Sequence, residues 1–154
     1  MSKKQMSVNS LELWNLQNDL LLDYGIDIVN RSFCINRDID KNMFAEVDAK
    51  LSILERNSAT KSAPITIKLN SCGGNIYEAW AVCSRIKSSK CPITIEAHGA
   101  IMSAATMIFA SGTKRRASSF CTFMFHESRT GFSGSLSEMK NEVRALTMEE
   151  QMYA

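Results

Sequence analysis

Two β-branched runs, each passing through glycine into a helix-like pattern, constrain this chain more than any other feature. Pro64 opens Ile65-Thr-Ile-Lys-Leu69, and Gly73-Gly74 follow before Ile76, Trp80, Cys83 and Ile86 mark one face of a helix. Pro92 opens Ile93-Thr-Ile95, which leads into Gly99 and a helical run from Met102. β-Branched residues favour strands, proline suits a strand's first residue, and parallel strands need a crossover of about this length. The expectation is an α/β fold of βαβ-type units, with helices packed around the sheet. Gly112 is placed to cap the second helix.

The flanking segments extend the pattern. Leu11, Leu13, Trp14, Leu16 and Leu20 to Leu22 suggest an N-terminal helix after Asn9-Ser10, and Ile26 to Ile35 is strand-like. Asp40 is a suitable N-cap for a helix with Phe44, Val47, Leu51 and Leu54 on its apolar face, ended by the polar stretch from Asn57 to Ser62. Phe120 to Phe125 reads as a strand ending at His126. A polar, glycine-punctuated stretch then leads to Ser135-Leu-Ser-Glu138, a capping-box pattern for a helix bearing Leu136, Met139, Val143, Leu146 and Tyr153. No Gly, Asn or Pro closes that pattern, so the helix is expected to run on past Ala154.

Composition narrows the function classes. At 154 residues, 45% apolar, the chain can bury a core without disulfide or metal staples. Eighteen basic against sixteen acidic residues give a net charge of +2, too little to favour nucleic acid, and Lys114-Arg115-Arg116 reads as a solvated turn. Cys34, Cys72, Cys83, Cys91 and Cys121 are odd in number and form no CxxC pair. That argues against a zinc site or a secreted disulfide framework, and for reduced, mostly buried thiols in the cytoplasm. No run has signal-peptide or membrane-spanning length; the longest apolar passage, Gly99 to Ala110, reads as a buried helix.

Three places could carry chemistry. Asn70-Ser-Cys-Gly-Gly-Asn75 lies between a strand and a helix, where paired glycines turn the backbone sharply and present bare N–H groups. It is either a tight turn or a set of donors for an oxyanion. Ser103, among small residues at a helix start, is either a packing or capping residue or a nucleophile with the Ala104 amide beside it. His126, at a strand end, is either structural or a proton acceptor for that serine. His98 reads as structural or as a rim residue, and Cys72 as a packing thiol.

In this order the features resemble the ClpP family, the proteolytic subunit of the Clp protease, and particularly its divergent phage-encoded members. The likeness runs from about Tyr24 to Ala154. It is carried by Arg31-Ser-Phe-Cys-Ile-Asn-Arg-Asp-Ile-Asp40, Ile65 to Gly74, Cys91-Pro-Ile-Thr-Ile95, Gly99 to Ser103, Ala110 to Arg115, Phe123-Met-Phe-His126 and Gly131-Phe-Ser-Gly134. The resemblance implies the ClpP/crotonase superfold, with a divergent segment 1–23, a head domain 24–134 and the start of a handle helix at 135–154. It implies a serine endopeptidase needing no metal or cofactor, with Ser103 as nucleophile, His126 as base, and the Gly74 and Ala104 amides as oxyanion hole. Gly131, Phe132, Ser133 and Gly134 would lie in a strand that pairs with an extended polypeptide substrate. The partners implied are further copies in a ring and an ATP-driven AAA+ unfoldase, with neither nucleic acid nor membrane.

The chain departs from the family pattern in three ways. Cys72 stands where the family has proline before the glycines. The first 23 residues do not match the segment that meets the unfoldase. The family's triad aspartate lies beyond the handle helix, whereas after His126 this chain has only Glu127, Glu138, Glu142, Glu149 and Glu150 as carboxylates. The expectation is a fragment whose acid lies further on; a Ser-His dyad and an inactive ring subunit are the alternatives. A crotonase-type acyl-CoA enzyme shares the superfold but does not need Ser103 and His126 in these places.

Overall fold

A computed structural model describes residues 10–56, 63–127 and 133–153. They form two compact units, 10–124 and 125–153, taken here in turn. The first holds α1 (Ser10–Tyr24), β1 (Ile26–Asp27), β2 (Ser32–Asn36), α2 (Met43–Arg56), β3 (Ile65–Ser71), α3 (Ile76–Lys87), β4 (Ile93–Met102), α4 (Ala104–Ser111), β5 (Lys114–Ala117) and β6 (Thr122–Met124). The strands make one sheet in the order β1-β2-β3-β4-β5, with β6 also on β4. β2 to β6 pair in parallel, and β1 turns back antiparallel on β2.

Alternation explains how the sheet buries one face. Phe33, Ile67 and Ile95 lie side by side across β2, β3 and β4, with Ile35, Leu69 and Ala97 in the next row, all buried. Lys68 and Glu96, one residue out of phase, occupy the opposite face, where Arg116 pairs with Glu96 at 3.3 Å. Helix α2 buries Met43, Val47, Leu51 and Leu54, a stripe at helical spacing. Each fully buried Leu or Ile contributes about 1.5–3 kcal/mol. The helices are clamped by side chains: Arg85 of α3 donates to Asp48 at 2.6 Å and to both oxygens of Glu55 on α2. Arg31, itself at φ +51°, donates to the Leu54, Ala63 and Pro64 carbonyls and so ties the end of α2 to the start of β3.

Several expectations need correction. The passage from Gly99 to Ala110 is not one helix: β4 continues to Met102, and α4 begins only at Ala104. Lys114 to Arg116 belong to β5 instead of a turn, because they pair in parallel with Thr94 to Glu96 of β4, while the Arg115 side chain donates to the Ala110 and Gly112 carbonyls at the end of α4. The buried face of α3 is Ala79, Val82 and Ile86, and the bulky Trp80 beside that stripe is half-buried. Phe44 is exposed and Met43 takes its place in the core. Asp40 lies ahead of α2, accepting from the Asn42 amide and pairing with Arg37. Of the five cysteines only Cys91 is buried, and none forms a disulfide.

In the second unit α5 spans Leu136–Tyr153. The expected capping box is present: the Ser135 amide and hydroxyl donate to Glu138 at 2.8 and 2.6 Å, and the Glu138 amide returns a bond to Ser135 Oγ. Leu136, Met139 and Val143 are exposed along the helix. Among the described residues no helix is long and apolar enough to cross a membrane, and no three His, Cys, Asp or Glu side chains gather as a metal site.

Candidate active site

The ends of β3 and β4 build the site. β3 ends at Ser71, whose Oγ accepts the Gly73 amide at 3.1 Å and starts the turn. Gly73 and Gly74 then adopt φ values of +97° and +136°, conformations open to glycine and strained for other residues. The turn is held from its far side by Ile39, which donates to the Gly73 carbonyl at 2.8 Å and accepts from the Asn75 amide at 2.7 Å. That parallel bridge uses the groups on either side of the Gly74 amide and leaves this amide out of the pairing. Asn75 closes the turn by capping α3, its side chain accepting from the Glu78 amide.

β4 delivers Ser103 to the same place. Ser103 stands between β4 and α4 at φ +51° and ψ −130°, a backbone conformation that a non-glycine residue adopts only when its surroundings hold it there. Its amide donates to the Met124 carbonyl of β6 at 2.9 Å, and its carbonyl accepts from the Thr106 amide and hydroxyl. A side chain on such a sharp strand-to-helix turn projects from the backbone, and its carbonyl opens the helix. As the first helical residue, Ala104 has an amide with no intrahelical acceptor, at the positive end of the helix dipole.

Turn and elbow are in contact. A Cβ built on Gly73 would lie 2.7 Å from Ser103 Cβ, 2.7 Å from the Met102 carbonyl oxygen and 3.1 Å from the Ala104 nitrogen. Gly73, Ser103 and Ala104 thus meet in the unit 10–124, with Gly74 next in the chain. Gly73, which sequence reasoning passed over in favour of Gly74, is the residue packed on the serine. A paired glycine was the only signal for it.

His126 belongs to the unit 125–153, where it is exposed. Its Nδ1 lies 2.5 Å from the Glu127 backbone oxygen. A carbonyl oxygen only accepts, so this contact puts a proton on Nδ1, and in the neutral ring Nε2 is then the acceptor. Ser133 and Gly134, in the same unit, lead through a bend into α5. Gly131 and Phe132 lie outside the described residues. His98, on β4, is exposed and 3.9 Å from Glu96, in keeping with a rim residue. Cys72 is exposed on the turn, not packed as expected, between the buried Ser71 and Gly73.

Comparison with known proteins supports the same architecture. The proteolytic subunit 2 of the ATP-dependent Clp protease of Treponema denticola is 27% identical over 122 residues, covering 78% of this chain. The chain spans 59% of that relative's length. A solved structure of a ClpP1 point mutant from Listeria monocytogenes superposes with a TM-score of 0.68, covering 79% of this chain and 66% of its own. At 24% identity that likeness speaks for the fold alone. The family model for Clp protease matches residues 22–154, and on that match the chain belongs to the Clp protease family.

Proposed function

We propose that this chain carries the nucleophile and oxyanion donors of a serine peptidase acting on unfolded polypeptide. The observation that carries the reading is the packing of Gly73 on Ser103, which puts a strained serine, a glycine turn and a helix N-terminus at one point. Ser103 Oγ attacks the peptide carbonyl carbon while His126 Nε2 takes its proton. The carbonyl oxygen, now negative, is stabilised by the Gly74 and Ala104 amides, each such donor being worth about 3–4 kcal/mol in related chemistry. His126 then gives the proton to the departing amine as the carbon–nitrogen bond breaks, and water releases the acyl group by the reverse proton path. His126 takes this role because the chain keeps the family's order of glycine turn, serine and histidine. Ser133 and Gly134, with Gly131 and Phe132, would bind substrate backbone by strand addition.

The apolar residues exposed on α5 support assembly with further copies, and an ATP-driven unfoldase would supply the unfolded chain. The test is reaction with a fluorophosphonate probe followed by peptide mass spectrometry. An adduct on Ser103, abolished in Ser103→Ala, is expected. A folded protein that takes up no probe would instead be a non-catalytic subunit of the same fold.

A further inference from the structure

We propose that Asn70 is a positioning residue: its side-chain amide stands in for a missing ladder bond where β4 bends, and so holds the strand ends that carry Gly73-Gly74 and Ser103 in one geometry. The proposal rests on the peptidase reading of that site and adds a residue to it. The register shows the need. Leu69 pairs with Ala97 and Ser71 with Ile101, so β4 advances four residues while β3 advances two, and regular pairing fails opposite Asn70.

The Asn70 side chain fills the gap from both ends. Its Oδ1 accepts the Ala100 amide at 2.8 Å, and its Nδ2 donates to Asn36 Oδ1 on β2 at 2.7 Å. Gly99, at φ +67°, has no room for a side chain, because a Cβ there would lie 2.7 Å from Asn70 Oδ1. Ala100 is also where β4 changes neighbours. Up to Ala97 it pairs with β5, and from Ala100 to Met102 it pairs with β6, whose Met124 carbonyl receives the Ser103 amide. One amide therefore ties β2, β3 and β4 together three residues before each of Gly73 and Ser103.

The test uses the full chain with Asn70→Ala, Asn70→Asp and Asn36→Ala, read by amide hydrogen exchange and by fluorophosphonate kinetics. In Asn70→Ala the Ala100 and Ser103 amides should exchange about ten-fold faster or more. The maximal rate of Ser103 modification should fall about ten- to a hundred-fold, with the half-saturating probe concentration changed less than about two-fold. Asn70→Asp keeps an oxygen toward Ala100, with the Asn36 amide turning to donate, and should recover most of that rate. Asn36→Ala, a surface change, should lie between and decides the matter if Asn70→Ala does not fold. Exchange and modification at unsubstituted rates in the folded variants overturn the proposal, as does a rate loss matched by the unfolded fraction. If the unsubstituted chain takes up no probe, the peptidase reading fails. Exchange at Ala100 and Ser103 then decides for Asn70 alone, faster exchange supporting it and unchanged exchange overturning it.

Discussion

Gly73 and Ser103 are packed so closely that a single methyl group on the glycine would fall 2.7 Å from the serine Cβ. The same methyl would meet the Met102 carbonyl, and residue 73 would keep a φ of +97° that alanine resists. Gly73→Ala is expected to cost about 1–3 kcal/mol of stability and to push Ser103 away from the helix start. Fluorophosphonate labelling should drop about a hundred-fold in protein that circular dichroism shows to be folded. Labelling at the unsubstituted rate would mean that turn and serine move independently.

Arg85 supports a second expectation, about pH. Its guanidinium bonds to both oxygens of Glu55, and the side chains are only 14% and 17% exposed. Those bonds hold the Glu55 carboxyl below its ordinary range, outweighing the burial that acts the other way, with Ser89 adding a further bond. A folded-state value below the unfolded one means that the stabilisation is present above about pH 4.3 and is lost as pH falls through the folded value. Arg85→Ala should cost about 2–4 kcal/mol near neutrality, because it strands a half-buried carboxylate. The gap to the unsubstituted protein should narrow in urea melts carried out progressively below pH 4. A gap constant with pH would show that Arg85 acts by packing alone.

What could be read in advance followed periodicity and chain order. Ile65, Ile67 and Leu69 declared β3 by alternation, Val47, Leu51 and Leu54 declared α2 by helical spacing, and the Ser135–Glu138 pair declared the start of α5. Periodicity could not separate the end of β4 from α4, since Gly99 to Ala110 is apolar but for Ser103 and Thr106, and the break is one strained backbone at Ser103. It also weighted the half-buried Trp80 over Ala79, the residue that is fully buried. The glycine turn after β3 and the position of Ser103 at a helix start were legible, because glycines and small residues follow each strand. Gly73 and Asn70 were not, because their roles depend on a register shift between β3 and β4 that leaves no mark in spacing.

The short contact from His126 Nδ1 to the Glu127 carbonyl predicts a tautomer. With the proton on Nδ1, the neutral ring presents Nε2 as the acceptor, the form a serine base requires. Nitrogen-15 spectra of the full chain with labelled histidine should show Nδ1 with the shift of a protonated ring nitrogen and Nε2 with that of a bare one. The reverse pattern would remove this contact as the orienting group and leave the tautomer to another partner of the ring.

The cysteines give the last prediction, since their environments differ sharply along one short chain. Cys34 and Cys72 are exposed, Cys91 is buried, and Cys83 is half-buried with its thiol pushed up by burial against a partly opposing bond to Ser111. Only the thiolate attacks an alkylating reagent, so access and thiol acidity act in the same direction here. Iodoacetamide should modify Cys34 and Cys72 first, Cys83 more slowly, and Cys91 only on unfolding. Cys72 adjoins Gly73, so a carboxamidomethyl group there stands at the mouth of the turn that packs on Ser103. Alkylated protein is expected to label with fluorophosphonate at least about ten-fold more slowly, while Cys72→Ser protein treated in the same way keeps its rate. Equal loss in both would trace the effect to a thiol other than Cys72, such as Cys34, which pairs with Lys68 of β3, or the partly exposed Cys121.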